Sequence, residues 1–181
     1  MKKAFITGFT GMVGSHLADF LLENTDWEVH GLLRWRSPLD NVSHLLERVN
    51  EEDRVFLHYG DINDEASMHH ILSQLKPDYV FHLAAQSYPL TSFDSPVETL
   101  NTNIVGTCRV LETLRIIMQT DSAYKPIIHV CASSEFLARS QKRKSRRQVF
   151  MKIVHFIRHH HMQFQKLEQT FLEDTMLRRM E

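Results

Sequence analysis

Along the first 135 positions, short continuous apolar runs alternate with longer segments whose apolar residues lie three and four apart. Lys3–Thr7 is a run of the first kind and ends on Gly8, as a strand buried on both faces does. Met12–Asn24 places Val13, Leu17, Phe20, Leu21 and Asn24 on one helical stripe. Trp27–Leu33 predicts a second strand and Pro38–Asn50 a short helix. Arg54–Tyr59 predicts a third strand, closed by Gly60. Asp64–Lys76 predicts a helix that Asp64 caps and Pro77 follows. A fourth strand is expected over Tyr79–Ala84 and a fifth over Ile127–Ala132. Between them Ser95–Gln119 reads as one long helix, with Pro96 in its first turn. Strands spaced by helices imply right-handed crossovers and a parallel sheet covered on both faces, a doubly wound α/β layout.

The turn between the first strand and the first helix carries the chemistry. Gly8-Phe9-Thr10-Gly11-Met12-Val13-Gly14 has the spacing G-x-x-G-x-x-G. It follows a strand and opens a helix, the setting in which such glycines hold a dinucleotide. Glycines let the backbone turn tightly, so a pyrophosphate can lie against the free N–H groups and positive dipole of the helix start. The same glycines could serve helix packing alone, but their place on the first strand of an α/β pattern favours the Rossmann-like cofactor reading. Gly8, Thr10, Gly11, Met12, Val13 and Gly14 are therefore candidate cofactor contacts.

Three further strand ends face the same crevice, since ligands of open α/β sheets sit outside the carboxyl ends of strands. An acidic residue after the second strand would hold a ribose 2′-hydroxyl, but this chain has Leu33-Arg34-Trp35-Arg36-Ser37. The planar donor forks of Arg34 and Arg36 suit a 2′-phosphate, which favours NADP, with NAD as the second choice. The alternative is a solvated loop bearing surface arginines. Asp61 and Ile62 close the third strand, where a carboxylate can meet an adenine amine. Leu83, Ala84, Ala85 and Ser87 close the fourth, with small residues that let backbone approach a ligand.

Composition is that of an ordinary globular protein: 181 residues, 43% hydrophobic and 24% charged, enough for one domain with a real core. With no apolar run of about 18 residues, no membrane span is expected. The early Gly8 argues against a signal peptide. Cys108 and Cys131 lack zinc or redox spacing and predict buried thiols in a reducing cytoplasm.

Charge changes the picture. The net charge of −1 divides into −8 over residues 1–135, with 10 Lys+Arg and 18 Asp+Glu, and +7 over residues 136–181, with 11 and 4. All six Gly and all five Pro lie before residue 127, where average usage would place about five or six Gly and Pro in the tail alone. Two kinds of sequence meet near Glu135.

The segments TGFTGMVGSHLADFLLE, EVHGLLRWRS, LHYGDIND, PDYVFHLAAQSY, SFDSP and NTNIVGTCRVLE follow one another in an order that resembles the extended short-chain dehydrogenase/reductases of nucleotide-sugar metabolism. Within that superfamily the pairing of LHYGDIND with HLAAQSYPLTSFDSP is most similar to the GDP-mannose 4,6-dehydratase family. The likeness covers residues 1–135, about three quarters of the chain. It implies a cytoplasmic lyase that forms a homo-oligomer when intact and acts on a nucleotide sugar such as GDP-mannose. Bound NADP takes hydride from C4, water leaves across C5–C6, and hydride returns at C6. The resemblance assigns Ser133 to a hydrogen bond with the C4 oxygen and Glu135 to proton removal at C5. Read alone, Ser133-Ser134-Glu135 is equally a polar strand exit. The alternatives to the dehydratase are another epimerase or reductase of the same superfamily and a non-catalytic dinucleotide- or nucleic-acid-binding module.

The departure is in the tail. The family's Tyr-x-x-x-Lys pair occurs nowhere, and the last tyrosine is Tyr124. The family also continues into a substrate domain beyond the length of this chain, so the resemblance implies cofactor binding without turnover. The basic run Lys142–Arg147 lacks interleaved aromatics, so no nucleic-acid partner is expected. His155 and His159-His160-His161 lack a carboxylate or Cys partner, so no metal site is expected. Phe164, Leu167, Phe171, Leu172 and Met176 allow an amphipathic helix. A third meaning is that the tail is a shifted-frame translation. Read with the third base of each codon first, His159–Lys166 permits SPYAISK, which contains the missing Tyr-x-x-x-Lys.

Overall fold

The computed structural model describes residues 1–46, 49 and 54–131. The chain divides into two units, Met1–Cys131 and Ala132–Glu181. Ser133, Glu135, the basic run and the histidine cluster all lie outside the described residues.

Within the first unit the elements follow in the order β1 (Lys3–Thr7), α1 (Met12–Asn24), β2 (Glu28–Leu33), a 3-10 turn (Asp40–Val42), α2 (Ser43–Leu46), β3 (Val55–Tyr59), α3 (Glu65–Leu75), β4 (Tyr79–His82), α4 (Pro89–Asp94), α5 (Pro96–Leu100), a π turn (Asn101–Gly106), α6 (Thr107–Thr120) and β5 (Ile127–Val130). All strand pairs are parallel and the order across the sheet is β3-β2-β1-β4-β5. The chain therefore winds outward from β1 to β3, then returns to the other side of β1. The change of direction falls between β1 and β4, the place where ligands of this fold class bind. Register aligns Thr7 with Leu32 and His82, Leu33 with Tyr59, and His82 with Val130, so the five carboxyl ends share one edge.

The core explains the apolar runs. Ala4, Phe5, Ile6, Val29 and Val80 are fully buried, because helices cover both faces of a parallel sheet. The helix α1 keeps its expected bounds but not its expected stripe. Gly14, Ser15, Leu17, Ala18, Leu21 and Leu22 are buried, whereas Val13 is exposed. Gly14 packs on the Gly8–Phe9 turn, where a Cβ would meet the Gly8 oxygen, and Met12 and Val13 at the helix start stay exposed. The expected helix over Pro38–Asn50 is reduced to the 3-10 turn and α2 among the described residues.

The expected long helix over Ser95–Gln119 is a second correction. It is broken into α5, the π turn and α6, and preceded by α4. Ser95 takes non-helical angles, as the residue before a proline does because the ring crowds it. The cysteines are a third: Cys108 and Cys131 are both exposed. The buried stripe of α6 is Val110, Thr113, Leu114 and Ile117, which leaves Cys108 on the opposite side. Asp64 caps α3 as expected, its Oδ1 accepting from the Ala66 N–H at 3.2 Å.

Arg54, just before β3, closes the end of α1. Its guanidinium donates to the carbonyls of Leu22 (2.7 Å) and Thr25 (2.5 Å), groups the helix itself leaves without partners. Arg54→Ala is expected to lower the unfolding free energy by about 1.5–3 kcal/mol, the range for hydrogen bonds to a charged group. Urea melts of the two proteins check this; equal midpoints would show that water replaces the guanidinium at no cost.

Candidate functional site

The site is built from the backbone of the glycine turn. Gly8 has φ +71°, in the left-handed region where side chains are disfavoured. A Cβ there would also stand 2.8 Å from the Ala84 nitrogen and 2.9 Å from the Leu83 carbonyl carbon. The first turn of the crevice therefore lies directly against the exit of β4, across the change of strand direction. The Gly11 N–H donates to the Gly8 carbonyl at 3.0 Å. A Cβ on Gly14 would meet the Gly8 oxygen and would lie 2.9 Å from Phe9 Cα. Gly8 and Gly14 thus serve close approaches that a Cβ would block, and a Cβ on Gly11 would stand a tight 3.2 Å from the Gly8 oxygen.

That helix start is open. Gly11 precedes it in an extended conformation with no side-chain cap, and no acidic residue lies in its first turn. The positive end of the helix dipole is left for an anion. Met12 and Val13 border it, both exposed. Asn41 fastens the turn from outside by donating from Nδ2 to the Thr10 carbonyl at 2.9 Å. The Phe9 ring is fully buried against Gly31 in β2, where any Cβ would collide with it. Sequence reading missed Gly31; the available signal was a glycine inside an apolar strand, a mark of close approach.

The neighbouring strand ends bring the other expected residues to the same edge. Arg34, Trp35 and Arg36 are exposed on a turn after β2. The Arg34 N–H donates to Ser37 Oγ at 3.0 Å and the Ser37 N–H to the Arg34 carbonyl at 3.0 Å, so the turn is fixed while its guanidiniums project. The Trp35 ring lies 5.4 Å from that of Tyr59 at the end of β3. Asp61 follows β3 and accepts from the Asn63 N–H at 2.9 Å through Oδ1. Ile62 is buried against Gly106, where an added Cβ would meet its Cδ1 at 2.9 Å; its side chain packs the π turn rather than opening to the crevice. Leu83 and Ala84 are half-buried, and Ala85 and Ser87 are exposed. Ser133 and Glu135 belong to the residues not described.

A buried hydrogen-bond network stands behind the β4 exit. Thr7 Oγ1 accepts from the N–H groups of Leu83 (3.2 Å) and Ala84 (3.1 Å) and meets His82 Nδ1 at 2.8 Å. His82 Nε2 meets Thr107 Oγ1 at 2.9 Å, and that hydroxyl donates to the Asn103 carbonyl at 2.8 Å. The Asn103 side chain brackets the backbone of Gln86, accepting its N–H at 2.7 Å and donating to its carbonyl at 2.9 Å. Burial pushes the His82 pKa down to about 4, which keeps the imidazole neutral near pH 7. Sequence reading missed Thr7, His82 and Asn103. The available signal was His82 itself, a polar side chain inside the apolar run YVFHL, which must find partners.

With this geometry in hand, comparison with known proteins identifies the lineage. A family model described as GDP-mannose 4,6 dehydratase matches residues 5–149, a span that runs past Glu135. The GDP-mannose 4,6-dehydratase of Vibrio cholerae serotype O1 is 48% identical over 120 residues, which is 64% of this chain and 32% of that protein. The GDP-mannose 4,6 dehydratase of Drosophila melanogaster is 42% identical over 118 residues, 63% of this chain and 30% of that protein. The chain spans about a third of the length of these curated relatives. Among solved structures, a UDP-glucose 4-epimerase of Thermotoga maritima with UDP-glucose matches with a TM-score of 0.54 at 31% identity, covering 64% of this chain and 34% of that one. An enzyme of Bordetella bronchiseptica in complex with NAD+ matches with a TM-score of 0.52 at 28% identity, covering 65% and 36%. No helix among the described residues is long and apolar enough to cross a membrane. The family model covers most of the chain, and the matched structures share its Rossmann-like fold: the chain belongs to the GDP-mannose 4,6-dehydratase family.

Proposed function

We propose that residues 1–131 form the dinucleotide-binding part of a dehydratase acting on GDP-mannose, and that they hold NADP(H) in preference to NAD(H). The observation that carries this reading is the fit of the glycine turn: Gly8 stands where a Cβ would strike the Ala84 nitrogen, beside an uncapped helix start. A pyrophosphate needs that pairing of close backbone approach and positive dipole. Met12 and Val13 would bind it through backbone N–H groups, with Gly11, whose own N–H is held by the Gly8 carbonyl, leaving room for its approach. Asp61 would accept from the adenine amine. Arg34 and Arg36 would take the 2′-phosphate, since no carboxylate occupies the 33–37 turn to hold a bare ribose hydroxyl. When bound, the nicotinamide supplies a hydride acceptor and donor.

The chain's own contribution to chemistry rests on Ser133 and Glu135. Ser133 would orient the sugar's C4 oxygen, and Glu135 would move a proton at C5. The substrate class is a nucleotide sugar, and a cytoplasmic homo-oligomer is the setting proposed for the intact protein. Residues 136–181 we assign to a shifted reading frame, on the loss of Gly and Pro and the reversal of charge past Glu135.

Titration of the chain with NADPH and NADH tests the cofactor assignment. Arg34→Ala is expected to weaken NADPH binding by about 1.5–3 kcal/mol, roughly ten- to a hundredfold, through loss of one charge-assisted contact. NADH binding should hold. Equal loss for both dinucleotides would place Arg34 outside the phosphate site and overturn the preference.

A further inference from the structure

The hydroxyl of Thr7 has only one hydrogen, and the geometry decides where it goes. Oγ1 is reached by two backbone N–H groups, that of Leu83, which it shares with the Thr7 carbonyl, and that of Ala84; both are donors and neither can accept its hydrogen. Its hydrogen must therefore point to His82 Nδ1, 2.8 Å away. That fixes the tautomer: Nδ1 is a bare acceptor and the ring hydrogen sits on Nε2. Nε2–H then donates to Thr107 Oγ1 at 2.9 Å, whose own hydrogen goes to the Asn103 carbonyl. Every donor faces an acceptor, and the order runs one way from the β4 exit to the π turn. His82 is only 3% exposed and Thr7 fully buried, so water has little access to repair a break. No other titratable side chain is hydrogen-bonded to the His82 ring among the described residues.

The far end of this chain of bonds returns to the same loop. Asn103, in the π turn, holds Gln86 by both backbone groups. The segment Leu83–Gln86 is thus pinned at its start by Thr7 and at its end by Asn103, with His82 and Thr107 joining the two pins. Ala84 in this segment is the group that Gly8 closely approaches.

We propose that His82 is a positioning residue for the dinucleotide: as the Nε2–H tautomer it locks Thr7 onto Leu83 and Ala84 and so holds the β4 exit in the shape the cofactor crevice requires. This rests on the dinucleotide reading above. Phe at position 82 would fill similar space with no acceptor for Thr7, whose hydroxyl would then be free to turn away from the two amides. The network acts as a unit, so its single losses should not add.

The test titrates NADPH against the full chain, its His82→Phe, Thr7→Val and double variants, and Thr7→Ser, which keeps the hydroxyl. Kd is read well below each protein's thermal midpoint, and the midpoints are measured separately. His82→Phe and Thr7→Val should each weaken NADPH about tenfold, the scale of one buried hydrogen bond. The double variant should be no weaker than the singles, and Thr7→Ser should bind like the unaltered chain. Ile117→Val, a core change on the buried stripe of α6, should lower the midpoint and leave Kd alone. Amide exchange of Ala84 should accelerate in both His82→Phe and Thr7→Val, while Leu83, also bonded to the Thr7 carbonyl, should stay protected. If the midpoints fall while Kd stays constant, His82 is structural only and the proposal is overturned. If His82→Phe does not fold, Thr7→Val against Thr7→Ser decides on the same readouts. If the unaltered chain binds neither NADPH nor NADH, the dinucleotide reading fails first, a different outcome from tight binding by the unaltered chain and His82→Phe alike.

Discussion

Incubated with GDP-mannose and NADP, the purified chain is expected to form no measurable 4-keto-6-deoxy sugar nucleotide under conditions in which the Vibrio cholerae relative reacts. The reason is proton transfer. The family resemblance assigns the acid/base step to a tyrosine with a lysine four residues on, and none of the chain's four tyrosines is so followed: Asn63, Leu83, Ser92 and Ile128 occupy those positions. Two of the tyrosines are engaged elsewhere. Tyr79 stacks on Trp27 at 4.2 Å, beside Lys2, at the opposite end of β4 from the crevice. Tyr124 donates to the Pro77 carbonyl at 2.9 Å, and burial raises its pKa above the usual phenol value, away from acid/base use. Tyr59 and Tyr88 are exposed with no cation held beside them by any described contact. Loss of a principal acid/base group alone costs about 10²–10⁴-fold. A sugar-nucleotide assay by chromatography reads the product directly, and turnover within tenfold of the relative would remove the tyrosine–lysine argument.

Much of this site was legible because its determinants are local. Gly8, Gly11 and Gly14 lie within one turn, and each spacing has a steric cause: the left-handed φ at Gly8 and the close approaches at Gly11 and Gly14. β1 and α1 kept their expected bounds because the switch from a continuous apolar run to helical spacing is sharp there. Failures came where tertiary contacts outvoted spacing. Val13 fits the helical stripe but stays exposed at the helix start, where Gly14 packs on the Gly8–Phe9 turn. The 95–119 segment has helical spacing throughout, yet Ser95 before Pro96 and the π turn divide it. The relay through residues 7, 82, 107 and 103 joins β1, β4, α6 and the π turn. Nothing in the local pattern of any of these segments announces the others; the signal was His82 itself, a polar side chain inside an apolar run.

The gene is expected to contain, one base out of register after codon 135, an open frame that completes an ordinary dehydratase. The protein sequence alone constrains that frame. His159–Lys166 reads HHHMQFQK, and pairing the third base of each codon with the first two of the next permits only (S/P)(S/P)(Y/H)A(I/V)(S/P)(K/E). SPYAISK satisfies it and supplies tyrosine and lysine at the missing spacing. Leu137–Ser145 permits GKVPKEKV in the same way, which returns glycine to a stretch that has none. Lys166–Glu181 permits VGTDLLGRYYAEAYG, with the small and apolar residues of a packing helix. Removal of one base from a valine codon converts Glu-Val-Phe-Gly into the observed Glu135-Phe136-Leu137-Ala138. Codon freedom makes any one short match easy; three matches in a single frame and in chain order are much harder to obtain by chance. Residues 136–181 carry a net +7 without a single Gly, Pro or Asn, a composition with only Ser140, Ser145 and Asp174 to form the turns a doubly wound fold needs between its elements. Inserting one base after codon 135 should yield a chain containing SPYAISK, and that chain should regain dehydratase turnover by the factor of about 10²–10⁴ that the acid/base pair supplies. Sequencing the locus decides the first half and assay of the repaired product the second. Stop codons throughout the alternate frame, or a frame spelling unrelated sequence, would leave the tail as selected protein and end the frame argument.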